Sequence, residues 1–138
     1  MRISKRAEYA VRALALLASR DPGGPVQIQE IAESGGIPLK YLEQILLILR
    51  RADLLVSKRG LGGGYRLGRR ASTITLAEVI QLLDGPWTSL EIARSAEGPG
   101  VRGLEETLRE LDAQIRAFLQ TQTIASLLER EQPVQFEI

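Results

Sequence analysis

The chain has 138 residues, 18 Lys and Arg against 17 Asp and Glu, 4% aromatic residues, and neither Cys nor His. That length fits one compact domain with an appended oligomerisation element and excludes two large domains. Without thiol or imidazole there is no disulfide framework, no thiolate nucleophile and no cysteine- or histidine-ligated metal or iron–sulfur site, so enzymatic chemistry would have to rest on carboxylates, Lys, Ser or Tyr.

The near-zero total charge conceals a polar molecule. Residues 1–70 carry 13 Lys and Arg against 6 Asp and Glu, a net of +7, whereas residues 71–138 carry 5 against 11, a net of −6. A basic half attracts polyanions and orients a nucleic acid toward the N-terminal part. The abundance of Leu, Ile, Ala and Val favours helix-on-helix packing over a β-sandwich. The apolar run Ile45 to Leu49 is too short to span a bilayer, and the N-terminus has charges where a signal peptide has its apolar stretch. A cytoplasmic protein with no membrane contact is expected.

Ser4 opens a helix in which Ala7, Ala10, Val11, Leu14, Leu17 and Ala18 recur at three-to-four spacing, and Asp21-Pro22-Gly23-Gly24-Pro25 stops it. A short second helix runs roughly from Gln27 to Ser34, with Ile28, Ile31 and Ala32 on one side and Gly35-Gly36 at its end. A third starts near Pro38, with Leu39, Leu42, Ile45, Leu46 and Leu49 on one face and Lys40, Glu43, Gln44 and Arg51 on the other. Two short helices around a glycine turn form a helix-turn-helix, whose second member offers its polar face to a major groove. A generic helical hairpin fits the same pattern.

The next segment favours the first reading. Leu54 to Ser57 and Tyr65 to Leu67 are strand-like runs flanking Arg59-Gly60-Leu61-Gly62-Gly63-Gly64, with Lys58, Arg66, Arg69 and Arg70 close by. A basic tip of this kind can enter a minor groove or follow phosphates. A nucleotide-cradling loop is the alternative, but neither the Walker nor the dinucleotide pattern is met, since no helix opens after the glycines.

Thr75 to Leu83 is a fourth helix, with Leu76, Val79, Ile80 and Leu83 apolar, closed by Asp84-Gly85-Pro86. Residues 84–100 are loop-like and hold the single tryptophan, Trp87. Then Val101, Leu104, Leu108, Leu111, Ile115 and Phe118 follow heptad spacing among charged neighbours. This seam either covers the subunit's own core or, as the charged flanks favour, pairs two chains. Ile124 to Leu128 folds back, and residues 132–138 form an extended end.

The fold class is therefore mainly α with a small β-hairpin wing: a winged helix-turn-helix over 1–83, a loop and effector region over 84–100, and a dimerisation helix with tail over 101–138. Gln44 can donate and accept across an adenine edge, Lys40 and Arg59 can meet guanine or phosphate, and Glu43 can accept from a cytosine amino group. No enzyme activity is needed. The alternative is a protein-interaction module in which the winged helix docks a partner enzyme, against which the +7 balance argues.

Met1-Arg2-Ile3-Ser4 leading to Glu8-Tyr9-Ala10-Val11, Tyr41-Leu42-Glu43-Gln44-Ile45, Arg59-Gly60 with Gly62-Gly63-Gly64-Tyr65, and Glu78-Val79-Ile80 come in the order seen in one known group. Over nearly its whole length the chain resembles the Rrf2-type bacterial winged-helix regulators, the group of IscR, NsrR and CymR. The resemblance implies a homodimer on a pseudo-palindromic double-stranded operator, probed by Tyr41, Glu43 and Gln44 and by Arg59 of the wing, with phosphates gripped near Ser4 and Lys5. The full candidate DNA-facing set is Arg2, Ser4, Lys5, Arg6, Gln27, Pro38, Lys40, Tyr41, Glu43, Gln44, Arg51, Lys58, Arg59, Gly60, Gly62, Gly63 and Arg66, with Val101, Leu104, Leu108, Leu111, Ile115 and Phe118 for dimerisation.

Cluster-binding members of the group carry cysteines between the fourth helix and the long helix, where this chain reads Thr88 to Gly100 without one. Cluster sensing is therefore not carried over, and no cofactor is expected. Leu83-Asp84-Gly85-Pro86 and the apolar tail resemble the cluster-free, cysteine-metabolism branch, which implies a repressor of sulfur genes and a partner enzyme of the cysteine-synthase type. The signal would then reach residues 84–100 or the tail as a small ligand or that partner. Leu47 and Ile48 are apolar where relatives tend to be polar.

Overall fold

A computed structural model describes residues 2–86 and 97–132. The first helix, α1 (Lys5–Ser19), is capped by Ser4, whose side-chain oxygen accepts from the Ala7 N–H at 3.0 Å. Its buried stripe is Ala7, Ala10, Ala13, Leu14 and Leu17. Three alanines on one stripe let neighbouring backbones approach closely. Helices α2 (Ile28–Gly35), α3 (Leu39–Arg51), α4 (Leu76–Asp84) and α6 (Ile124–Arg130) all pack against α1, which is the centre of the molecule.

The helix-turn-helix is present as α2 and α3, joined through Gly36 in the left-handed conformation at φ 62°. Leu42, Ile45, Leu46 and Leu49 are buried, and Lys40, Glu43, Gln44 and Arg51 are exposed. Leu39 departs from expectation: it is exposed. As the first residue of α3 its Cβ tilts toward the N-terminus, ahead of the turns that α1 and α2 cover.

Strands β1 (Leu55–Lys58) and β2 (Gly64–Leu67) pair antiparallel, Leu55 opposite Leu67 and Lys58 opposite Gly64. Val26 adds a third, one-residue strand that the apolar spacing did not reveal, exchanging two 2.8 Å backbone bonds with Tyr65. The wing's root is thus tied to the start of the helix-turn-helix. A 3-10 turn (Ala71–Thr73) leads into α4, capped by Thr75.

Helix α5 (Val101–Thr121) carries the heptad seam and has no buried residue. Leu119, near its end, packs on the core. The chain then returns, as expected: Leu76 N–H donates to the Gln122 carbonyl at 2.8 Å, Ile124 N–H to the Ile74 carbonyl at 3.0 Å, and Thr123 and Ser126 form a capping box. Ile124 is fully buried, so α6 belongs to the same core as α1. Trp87, most of the expected loop and the extended end lie in 87–96 and 133–138, outside the described residues.

Candidate nucleic-acid interface

Helix α3 buries one face, so its polar residues are forced outward. Lys40, Tyr41, Glu43, Gln44 and Arg51 are all exposed, with Pro38 exposed at the N-cap. The wing leaves Lys58, Arg59, Gly60, Gly62 and Arg66 exposed. Arg50, also exposed, donates to Ser57 Oγ at 3.4 Å and links α3 to β1. A shallow cleft between the two elements is lined by Gln27, Gln29, Arg50, Lys58 and Arg59, with an accessible volume of about 450 Å³. Gln27 sits at the N-cap of α2 without a side-chain cap bond, so the first N–H groups of that helix have no side-chain cap.

Gly63 differs from its neighbours. It is buried, and a Cβ there would lie 2.5 Å from the Lys58 carbonyl oxygen and 2.7 Å from that of Gly60. Its role is to let the hairpin turn on itself, closed by its N–H donating to the Gly60 carbonyl at 2.9 Å.

Not every basic residue near the wing is available to a phosphate. Arg69 forms a two-pronged pair with Glu78, Nη1 to Oε1 at 2.8 Å and Nη2 to Oε2 at 2.7 Å, and also donates to the Thr73 carbonyl at 2.6 Å. The hydrogen bonds that Arg69 donates to the Glu78 carboxylate raise its pKa, against the opposing effect of desolvation. Arg69 therefore locks the 3-10 turn onto α4. Among the described residues, ion pairs engage Lys5, Arg12, Arg20, Arg69 and Arg102, whereas Lys40, Arg51, Lys58, Arg59 and Arg66 form none. Five exposed cations on α3 and the wing, without an ion pair among the described residues, make a field that attracts a polyanion.

At the start of α1, Arg2, Lys5 and Arg6 are exposed and Ser4 is half-buried. Ser4 has a second partner that the sequence conceals: its N–H donates to Asp84 Oδ2 at 3.3 Å and its hydroxyl donates to Asp84 Oδ1. The last residue of α4 is thereby fastened to the first turn of α1.

On α5 the seam divides. Val101, Leu108 and Ile115 are half-buried, whereas Leu104, Leu111 and Phe118 are exposed. Among the described residues one column is half-covered and the other is open. No helix there is long and apolar enough to cross a membrane.

A sequence model of the Rrf2 family, described as an iron-dependent transcriptional regulator, matches residues 3–130. The chain belongs to the Rrf2 family. It is thus a DNA-binding winged-helix transcriptional regulator, a non-enzymatic class. Among its relatives, the HTH-type transcriptional regulator IscR of Photobacterium profundum is 39% identical over 130 residues, covering 93% of this chain and 76% of the relative. Among solved structures, CymR, the global cysteine regulator of B. subtilis, superposes with a TM-score of 0.79 at 30% identity, covering 96% of this chain and 99% of that one. IscR of T. potens gives 0.78 at 30% identity, covering 100% and 93%.

The iron in the family description can be tested against the donor set of this Rrf2 chain. Its 138 residues offer no thiolate and no imidazole. No three His, Cys, Asp or Glu side chains converge among the described residues. An iron–sulfur cluster does not fit these residues.

Proposed function

We propose that this protein is a homodimeric, sequence-specific transcriptional repressor whose signal is not an iron–sulfur cluster. The observation that carries the reading is the exposed basic surface of α3 and the wing, where Lys40, Arg51, Lys58, Arg59 and Arg66 form no ion pair among the described residues. Glu43 and Gln44 read base edges, Arg59 enters the neighbouring groove, and the cations, with Ser4 and Lys5, grip phosphates. Residues 1–83 bind DNA, 84–100 take the signal and 101–138 dimerise, while α6 is built into the winged body. The open column Leu104, Leu111 and Phe118 is the surface through which two copies pair.

Likeness to CymR supports a role in sulfur or cysteine metabolism, and the resemblance to that branch supports a cysteine-synthase-type partner. Signalling has a direct route to the DNA face. Residues 84–100 begin at Asp84, whose carboxylate accepts from Ser4 on α1, so a ligand or partner that moves this segment acts on a phosphate-facing helix end.

The test is selection of duplexes from a randomised pool by the purified protein. Inverted half-sites one helical turn apart, or a multiple of it, are expected. A pool that gains no shared sequence would overturn the reading in favour of a docking module.

A further inference from the structure

Tyr9 lies half-buried on α1, and its ring reaches α3. It stacks on Tyr41 at the head of that helix, with centroids 6.5 Å apart and planes 24° from parallel. Lys5 Nζ stands 5.6 Å from the centre of the Tyr9 ring, the Arg12 guanidinium stands at the same 5.6 Å, and Lys40 Nζ stands 5.8 Å from the Tyr41 ring. Glu8 pairs with Lys5 at 3.1 Å and with Arg12 at 3.8 Å. Arg12 Nη2 also lies 3.0 Å from where a Cβ on Gly36 would stand, placing this α1 cation over the turn of the helix-turn-helix.

These contacts make one continuous row across the seam between α1 and α3. The stack falls within the separation at which aromatic pairs attract, and all three cations fall within cation–π range. An exposed tyrosine at the start of a helix would otherwise sample several rotamers. Here Tyr41 cannot turn without leaving Tyr9. Three cations flank the two rings, while Glu8 pairs with two of them and the Asp84 carboxylate is held by Ser4 at the helix start; positive charge exceeds negative there, and a run of phosphates balances it.

We propose that Tyr9 is a positioning residue of the DNA interface, fixing the Tyr41 ring and aligning Lys5 and Arg12 to take one stretch of backbone phosphates. The inference rests on the DNA-binding reading above and adds to it two residues, Tyr9 and Arg12, outside the recognition helix and wing.

The experiment measures affinity, salt dependence and thermal melting for a duplex enriched from a randomised pool by the wild-type protein. Tyr9→Leu, which keeps apolar bulk on α1, should weaken binding about 3- to 10-fold, while Tyr9→Phe should bind as wild type. In the double variant Tyr9→Leu/Tyr41→Leu the loss should be smaller than the product of the two single losses, because both changes break the same stack. Arg12→Gln should flatten the salt slope by about one phosphate contact. Wild-type affinity in Tyr9→Leu, with or without a lower melting temperature, would overturn the inference, as would losses that multiply in the double variant. If Arg59→Ala weakens binding and Tyr9→Leu does not, only this inference falls. If the wild-type protein enriches no duplex, the DNA-binding reading falls with it.

Discussion

Replacing Leu111 by Glu should convert the protein to monomers. Leu104, Leu111 and Phe118 retain 49%, 41% and 56% of their exposure in the single subunit. Complete burial of such a side chain stabilises by about 1.5 to 3 kcal/mol, so roughly half of that is left for each to gain in a pair. Three side chains on each of two copies then contribute about 4 to 9 kcal/mol of gross burial, before the loss of translational freedom is subtracted. Leu111 is the middle residue of the helix spanning Val101–Thr121, so in a symmetric pair centred on α5 it meets its own copy. Glu at that position removes the apolar contact from both chains and sets two carboxylates against each other. At an effective dielectric near 20 and a separation of about 6 Å that repulsion is about 3 kcal/mol. Sedimentation velocity should show a dimer for the wild type and a monomer for Leu111→Glu, with unchanged helical circular dichroism, since α5 buries no residue in the subunit. Mixing Leu111→Glu with Leu111→Lys should restore dimers. A dimer-sized particle in Leu111→Glu alone would refute the assignment of the open column as the interface.

Other perturbations separate the parts of the proposed machinery. Arg59→Ala should weaken binding to a selected duplex by about 1 to 3 kcal/mol with the fold intact, and an unchanged affinity would remove Arg59 from the contact surface. Asp84→Asn takes a negative charge from the start of α1 while keeping an acceptor for Ser4; binding to every sequence should tighten a few-fold at low salt, an effect that fades as salt rises. Equal affinity at all salt concentrations would detach Asp84 from the DNA face. In Gly64→Ala, at φ 144°, the new Cβ would lie 2.5 Å from the Val26 carbonyl oxygen. A loss of about 2 kcal/mol is expected, read as a lower Tm together with weaker binding; a Tm equal to wild type would show that the Val26–Tyr65 bridge yields freely. Anaerobic reconstitution with iron and sulfide should leave the protein colourless, whereas stoichiometric charge-transfer absorbance with altered DNA binding would contradict the donor-set argument.

Periodicity made the helices legible. The stripe Ala7, Ala10, Leu14, Leu17 and the buried face of α3 can be read from apolar spacing alone, and glycine placement located both the turn of the helix-turn-helix and the wing. Contacts between distant positions left no such trace. Val26 pairs with Tyr65 through backbone atoms at a single residue, too short for any alternation to show. Ser4 and Asp84 are 80 positions apart. Arg69 has the composition of one more wing cation, yet its geometry commits it to Glu78. The heptad spacing identified the α5 seam, but only the folded chain distinguishes the half-buried column of Val101, Leu108 and Ile115 from the open one. For the site, charge and exposure were legible in α3 and the wing, whereas the Tyr9–Tyr41 stack required the crossing of α1 over α3 to be known. Its one trace in the sequence is the pair Glu8-Tyr9, an aromatic beside charges at the foot of a helix.

A sequence-specific regulator must discriminate between DNA sequences. The most direct measurement is fluorescence anisotropy of a duplex enriched by the protein against a shuffled duplex of the same composition at physiological salt. The enriched duplex should bind about a thousand-fold more tightly or better, with affinity for both falling steeply as salt rises. Equal affinity for the two duplexes would contradict a sequence-specific role.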